Sequence, residues 1–419
     1  MPMVSVENRL QQACATHQGV PFQVRDWQGK TYTAGVGRPR FLIHFRTRAA
    51  LVRSFLETSL GFGEAYADGE IAIEGDLEEV VTVLAGTYVR LNSGGWVPGW
   101  FARFLGRTLG RQKSDIEHHY GRGNEFYQYY LDKKLQYSCG YFRSPDDSLD
   151  QAQEQKIAHT VAKLALRPGQ RLLDIGCGWG HLMFHAAETY GVECLGLTLC
   201  DNQASYIRAE AKARGLPVEV RVMNYLELEE SRPWDRVVSV GMMCHVGQKF
   251  ADRFFDKVKA VMKPGAVGLL HCIAKMKESP GADPFVQKHV FPGYWFFSLE
   301  GMTRRAVDRG LNVVDVENLR RHYALTTHHW RKNFLRHYDA IQKALGFSDR
   351  FMRLWEFYFC CVIAGFRTGQ INLIQMVLTN GINDEYPWTR DFLYHAPAQV
   401  PDEEPREIAL ASGRPDLGS

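Results

Sequence analysis

The chain has 419 residues, 45% of them hydrophobic and 23% charged, which is too long for one ordinary domain and unlike a globally disordered protein. Fifty Lys and Arg against 47 Asp and Glu leave a formal charge of +3, so a duplex-wrapping basic protein is excluded and any anionic surface must be met locally. No apolar run reaches the ~18 residues of a membrane span. The start, MPMVSVENRLQQ, lacks the basic-then-apolar pattern of a secretion signal, and nine cysteines without metal-ligand spacing predict a reduced, cytoplasmic protein with no bound metal.

Residues 1–93 read as a small α+β amino-terminal domain, with strand-like stretches at Phe22 to Val36 and Arg40 to Phe45 and an amphipathic stretch at Ala49 to Thr58. Composition then changes, and residues 94–149 read as a basic and aromatic linker followed by aromatic helices. Within 94–114, Arg103, Arg107 and Arg111 recur every four residues, with Phe101, Leu105 and Leu109 roughly opposite. Two readings stay open: a linker helix with solvated arginines, or a segment that lies on an anionic bilayer with Trp96, Trp100 and Phe104 at the headgroup boundary. Gly106 and Gly110 weaken a helix under either reading.

From residue 150 to 394 the pattern is regular. Helices at Asp150 to Leu164, His181 to Tyr190, Asp201 to Ala213 and Phe250 to Met262 alternate with strands at Arg171 to Ile175, Glu193 to Leu199, Val218 to Met223, Arg236 to Val240 and Ala266 to Ala274. This alternation predicts an α/β fold, a doubly wound and mostly parallel sheet whose ligands bind at the carboxyl ends of the strands. Residues 276–310 read as an aromatic-rich insertion, Asn312 to Val316 and Ile371 to Leu378 as two further strands, and 395–419 as a disordered tail.

The strongest local signal is RLLDIGCGWGH, residues 171–181, where an apolar strand ends in Asp174 and Gly176, Gly178 and Gly180 turn the chain into a helix. Glycines there let a ligand approach the backbone. Alone, the text also fits a dinucleotide loop; the acidic residue before the first glycine and the continuation through LGLTLCDNQ favour a Rossmann-like methyltransferase turn. A second cluster, HHYGRGNEFYQYYLDKKLQYSCGYF at 118–142, is dense in Tyr and Phe, as an aromatic helix pair in a core would also be.

HYGRGNEFY, LQYSCGYF, LLDIGCGWG, LGLTLCDNQ, WDRVVSVGM with CHVG, GLLHCIA and AGFRTGQINLIQMVLTNG, in this order, resemble the cyclopropane fatty acid synthase family of methyltransferases. SLGFGEAYADGEI at 59–71 resembles that family's amino-terminal domain, so the likeness covers about residues 50 to 381. The resemblance implies a class I methyltransferase domain that uses S-adenosylmethionine to alkylate the double bond of an unsaturated acyl chain in a membrane phospholipid, closing a cyclopropane ring. It also implies a peripherally membrane-associated protein, a homodimer and no nucleic-acid partner. For the cofactor it implies Tyr137, Ser138, Asp174, Gly176, Gly178, Trp179, Thr198, Leu199 and Gln203, with Asn224 where the family has Asp near the adenine and His181 in place of a family glycine.

For catalysis the resemblance implies a bicarbonate ion as base, held by a Cys, a Glu, a His and a Tyr. Cys139, His271 and Tyr323 match three of these, and Cys244 stands in GMMCHVG where the family has Glu. A neutral thiol cannot orient bicarbonate as a carboxylate does. Three outcomes stay open: the anion survives on three ligands and the ring forms; proton removal is rerouted to a methyl-branched or methylene product; or Cys244, with a free pKa of ~8.5, acts as base with help from His245. Two further readings are an N-methyltransferase of small molecules and a lipid-binding protein without catalysis. Replacing Arg103, Arg107 and Arg111 by Ala is expected to reduce sedimentation with anionic vesicles; unchanged sedimentation leaves the segment a linker.

Overall fold

A computed structural model of the chain describes residues 5–92, 124–229, 231–277, 283–292 and 294–394. The basic segment at 94–114 and the tail at 395–419 lie outside the described residues.

The amino-terminal domain begins with α1 (Val6–Ala15), capped by the Ser5 hydroxyl on the Asn8 amide. The stretch expected as one strand from Phe22 is a hairpin of β1 (Phe22–Arg25) and β2 (Thr31–Ala34). The reason is local: the Asp26 carboxylate accepts from the amides of Gln28 and Lys30, and Gly29 takes a positive φ of 86°, so DWQGK turns the chain back. With β3 (Leu42–Phe45) and β4 (Ile71–Glu74) the strands form a sheet in the order β2-β1-β3-β4. Helices α2 (Arg48–Glu57), α3 (Ser59–Ala67) and α4 (Leu77–Asn92) complete the domain.

After α5 (Asn124–Gln128), α6 (Leu149–Lys163) opens the second domain through a Ser148/Gln151 capping box. Its central sheet has β5 (Arg171–Ile175), β6 (Glu193–Thr198), β7 (Val218–Val222), β8 (Trp234–Val240), β9 (Met262–Lys275), β11 (Leu311–Asn318) and β12 (Asn372–Asn380) in the order β11-β12-β9-β8-β5-β6-β7. The pair β10 (Phe297–Ser298) adds to β9 off this path. Among the seven, β12 alone runs antiparallel to its neighbours.

Alternation along the strands feeds two cores. Leu172, Cys194, Val220, Val238, Leu269 and Val377 pack under α6, α7 (His181–Tyr190) and α8 (Asp201–Arg214). Leu173, Leu195, Val237, Leu270, Ile374 and Met376 pack under α9 (Ala251–Val261) and α11 (Leu299–Val307). The doubly wound expectation therefore holds, but the stretch 276–310 is not all insertion. It holds α10 (Pro284–His289), which packs on α3, and then α11, whose Met302 and Ala306 are fully buried under the sheet. The aromatic run Tyr294 to Phe297 masked that ordinary crossover helix.

Between β11 and β12 run α12 (Arg320–Arg336), α13 (Tyr338–Leu345) and α14 (Asp349–Arg367). Both α12 and α14 pack against the first domain in one continuous core. Beside that core the Glu78 carboxylate, 2% exposed, meets His328, Arg331 and Arg367, and Arg331 also pairs with Asp76 and Glu356. Burial opposes ionisation of Glu78, but the His328 hydrogen bond and the two guanidinium groups hold its pKa below the ordinary carboxylate value. No described helix is long and apolar enough to cross a membrane. Glu78→Gln is expected to cost about 3 kcal/mol, because it leaves Arg331 buried with one partner fewer; a lowered melting temperature in calorimetry checks it.

Candidate active site

The glycine turn sits where the strand order reverses, at the carboxyl ends of β5, β6 and β7. Amides of Gly176 and Cys177 both donate to the Leu197 carbonyl, hooking the turn onto β6. Gly176 has φ 85° and a Cβ there would lie 2.8 Å from Met242, whereas Gly178, at φ 55°, has nothing within 4 Å of its Cβ position. The space over Gly178 is what a ligand lying on the backbone needs. Asp174, fully buried beneath the turn, has its Oδ1 without a hydrogen-bond partner among the described residues. Burial pushes its pKa up to about 7, opposed by Lys156.

The other residues expected at a cofactor gather around this turn. Thr198, ending β6, donates to the Gln203 side chain at 2.7 Å and accepts from the Cys200 amide; Leu199 follows, half-buried. Trp179 meets the Tyr206 ring edge-on at 5.4 Å. The Asn224 side chain accepts from the Leu226 amide at 3.0 Å, shaping the turn after β7. Ser138 is tied to α6: its hydroxyl accepts from Lys156 at 3.1 Å, and its carbonyl accepts from Gln153 at 2.8 Å. Tyr137 is drawn into an aromatic group instead, its ring 4.9 Å from Trp330 and its hydroxyl 2.8 Å from that of Tyr358.

Next to this lies the second group. Cys139, fully buried, donates its thiol to the Gly140 carbonyl, while Thr326 of α12 accepts from the Gly140 amide at 3.0 Å. Tyr323, one turn earlier on α12, stacks on Phe366 at 4.6 Å and packs with Ile273 in the small core that also holds Cys139. Cys244, 1% exposed after β8, donates to the Ile273 carbonyl at 3.5 Å and faces the Tyr294 hydroxyl. Burial raises the Cys244 thiol to about 11 and Cys139 beyond that, so both are neutral thiols near neutral pH. His271, 1% exposed on β9, is pushed down to about 3 by burial and by Lys156 and Lys163, so its ring is uncharged as well.

Cys139 and Tyr323 thus share a small core with Ile273, whose carbonyl accepts from Cys244, and His271 lies two residues back along β9. The expected helper of Cys244, His245, packs its ring on Tyr294 and Phe291. Among the residues not singled out in the sequence are Tyr294, Tyr358, Trp330, Thr326, Gln375 and Lys156. A signal existed for the last two. Gln375 is the lone polar residue in LIQMVL, and Gln153, Lys156, Thr160 and Lys163 repeat at helical spacing on the buried face of α6.

A family model described as mycolic acid cyclopropane synthetase matches residues 108–376. The chain belongs to that family. Residues 9–88 match a family described as a domain of unknown function. The chain is similar to a probable fatty acid methyltransferase of Pseudomonas putida, 32% identical over 90% of this chain and 96% of the relative. It is likewise similar to the cyclopropane-fatty-acyl-phospholipid synthase of Escherichia coli K12, 32% identical over 79% of this chain and 86% of that one. The structure of mycolic acid cyclopropane synthase CmaA1 complexed with SAH and CTAB superposes with a TM-score of 0.59, 30% identical over 64% of this chain and 98% of that one. The protein is an S-adenosylmethionine-dependent methyltransferase of the fatty acid methyltransferase and cyclopropane synthase family, with the class I fold.

The turn fits that cofactor: the unpartnered Asp174 oxygen supplies an acceptor and Gly178 supplies room. A donor laid against Asp174 favours the carboxylate form, so a raised pKa costs affinity in acid. Binding of S-adenosylhomocysteine is expected to strengthen by up to about tenfold per pH unit as pH climbs towards the Asp174 pKa and to level off above it. Asp174→Asn should weaken binding and flatten this profile, as titration calorimetry across the range will read.

Proposed function

We propose that the protein transfers a methyl group to a double bond of an unsaturated acyl chain carried by a membrane phospholipid and that the product closes to a cyclopropane. The observation that carries this reading is the character of the site: neutral thiols, a neutral imidazole and a wall of Tyr, Trp and Phe beside a cofactor turn. S-adenosylmethionine supplies the methyl as an electrophile on a sulfonium. The alkene π pair forms the new C–C bond, and the neighbouring chain carbon is left electron-deficient. No base is needed before that step, which agrees with a site built without a charged base.

The protein's share is to align and to exclude water. Tyr294 and Tyr358 lie deep among Phe291, Tyr137 and Trp330, and burial first, then neighbouring hydroxyl and thiol groups, raises the Tyr294 pKa well above its ordinary value. Such rings stay protonated, offer π faces to a cation on the chain and present no strong nucleophile to trap it. Loss of a proton from the new methyl lets its C–H electron pair close the ring. Contact with the bilayer through residues 94–114 belongs to the same proposal.

A specific observation favours a second product. The Cys244 thiol, standing where the family has Glu, is spent on the Ile273 carbonyl and Tyr294. The residues around it do not fit bicarbonate, because no carboxylate is there to accept its hydroxyl. With that base missing, loss of a proton from a chain carbon gives a methyl-branched alkene, and a hydride shift from the methylated carbon to the cation followed by loss of a methyl proton gives a methylene group instead. Ring and branch are isomers, so mass alone does not separate them; NMR of lipid recovered after incubation with S-adenosylmethionine and unsaturated phosphatidylglycerol vesicles does. Ring protons support the first product and a retained double bond the second, while unmodified lipid together with a methylated soluble amine overturns both. Cys244→Glu is expected to raise the ratio of ring to branch by up to about a hundredfold, the lower end of a positioned general base.

A further inference from the structure

Three polar side chains lie side by side across the sheet. Glu317 on β11 is opposite Gln375 on β12, and Gln375 is opposite His271 on β9. They share strand parity with Leu269 and Val377, so all three project onto the face that α6 covers. Gln375 is fully buried there. Its side-chain nitrogen uses both hydrogens, one donated to Thr160 Oγ1 at 3.0 Å and the other to His271 Nδ1 at 3.1 Å. The reversed amide would bring the oxygen to these two groups and leave both N–H bonds buried where now a single carbonyl oxygen lies unpaired. Glu317 does not disturb the row, since His159 at 2.7 Å and Lys163 at 2.5 Å hold its carboxylate.

An imidazole whose Nδ1 accepts must carry its proton on Nε2 when neutral. His271 Nε2 is buried and has no hydrogen-bond partner among the described residues. We propose that Gln375 is a positioning residue for the reaction: it fixes His271 as the Nε2–H tautomer, so that the ring offers a hydrogen bond into the site and cannot itself take the proton that the substrate loses. This rests on the reading of the site given above. It narrows where that proton goes, because it removes His271 from the list of acceptors.

Nitrogen-15 NMR of histidine-labelled protein tests it. The wild type should show His271 with a protonated Nε2 and a bare Nδ1. Gln375→Glu, whose carboxylate can only accept, should move the proton to Nδ1, and Gln375→Met should give a mixture. Both variants should lose at least about tenfold in turnover, the usual scale for a residue that orients another, while affinity for S-adenosylhomocysteine falls by less than turnover does, since neither Gln375 nor His271 belongs to the cofactor turn. Should Gln375→Met not fold, Thr160→Val, which removes the other anchor of the amide, is expected to give the same tautomer mixture. A wild-type His271 protonated on Nδ1, or a variant of Gln375 that keeps both tautomer and turnover, overturns the proposal. Absence of acyl-chain methylation would overturn the functional reading alone, for the spectrum reports the tautomer without turnover.

Discussion

Much of this structure depends on one constraint, the burial of a polar stripe where a helix meets a sheet. On α6, Gln153, Lys156, Thr160 and Lys163 are all at most 4% exposed, at spacings that keep them on one face. Each must find partners or the helix could not dock. Those partners come from three distant pieces of chain: Gln136 and Ser138 in the loop before α6, Glu317 on β11 and Gln375 on β12. Satisfying the stripe therefore draws the loop carrying Ser138 and Cys139 down over the glycine turn and sets β11 and β12 against it. The pairing costs desolvation, as the ions show. Burial lowers the Lys156 pKa to about 8, while the Glu317 pKa, which burial alone would raise, is brought down to about 2 by His159 and Lys163.

The same arrangement divides the charges. Ionised groups gather under α6 and around Glu78, whereas the space near Ile273 is lined by groups that burial keeps neutral: two thiols, an imidazole and phenols. The proposed reaction, which passes through a positive chain carbon, would be served by that division. Fixed anions would attract the cation but also offer it a nucleophile, and the ring faces of Tyr294, Tyr358 and Trp330 attract it without that hazard. Cys244 belongs to this logic. Where a carboxylate would put a charge beside Tyr294, the thiol leaves its surroundings neutral.

What could be read from the sequence follows from how local each signal was. The glycine turn and the strand–helix alternation are written in short runs, so β5 to β9 and their helices fall where periodicity puts them. The resemblance supplied Cys139, His271 and Tyr323; Cys139 and Tyr323 share one small core, and His271 lies on β9 two residues from Ile273, which packs against that core. Tyr294, Thr326 and Gln375 were missed because their partners lie far away along the chain: Cys244 for Tyr294, Gly140 for Thr326 and His271 for Gln375. The hairpin at Asp26 was missed for the opposite reason: a side chain capping its own turn overrode a continuous run of strand-forming residues. α11 was hidden by the aromatic run that precedes it.

Helix α12 ties the two domains to the chemistry. Tyr323 and Thr326 face the Cys139 loop, Trp330 lies on Tyr137, and Arg331, one residue further, reaches Asp76 and Glu78 of the first domain. These contacts are spread over little more than two turns of one helix, about 12 Å of rise, so the first domain cannot shift against α12 without moving the groups that line the reaction space. α14 reinforces the link, since Phe357 packs against Phe62 and Phe285 while Tyr358, the next residue, bonds to Tyr137. Gly63 allows that approach, for a Cβ there would fall 2.5 Å from the Phe357 ring. The first domain therefore shares one aromatic core with the groups around Tyr137 and Tyr358, and the position of α12 records how the two are held together.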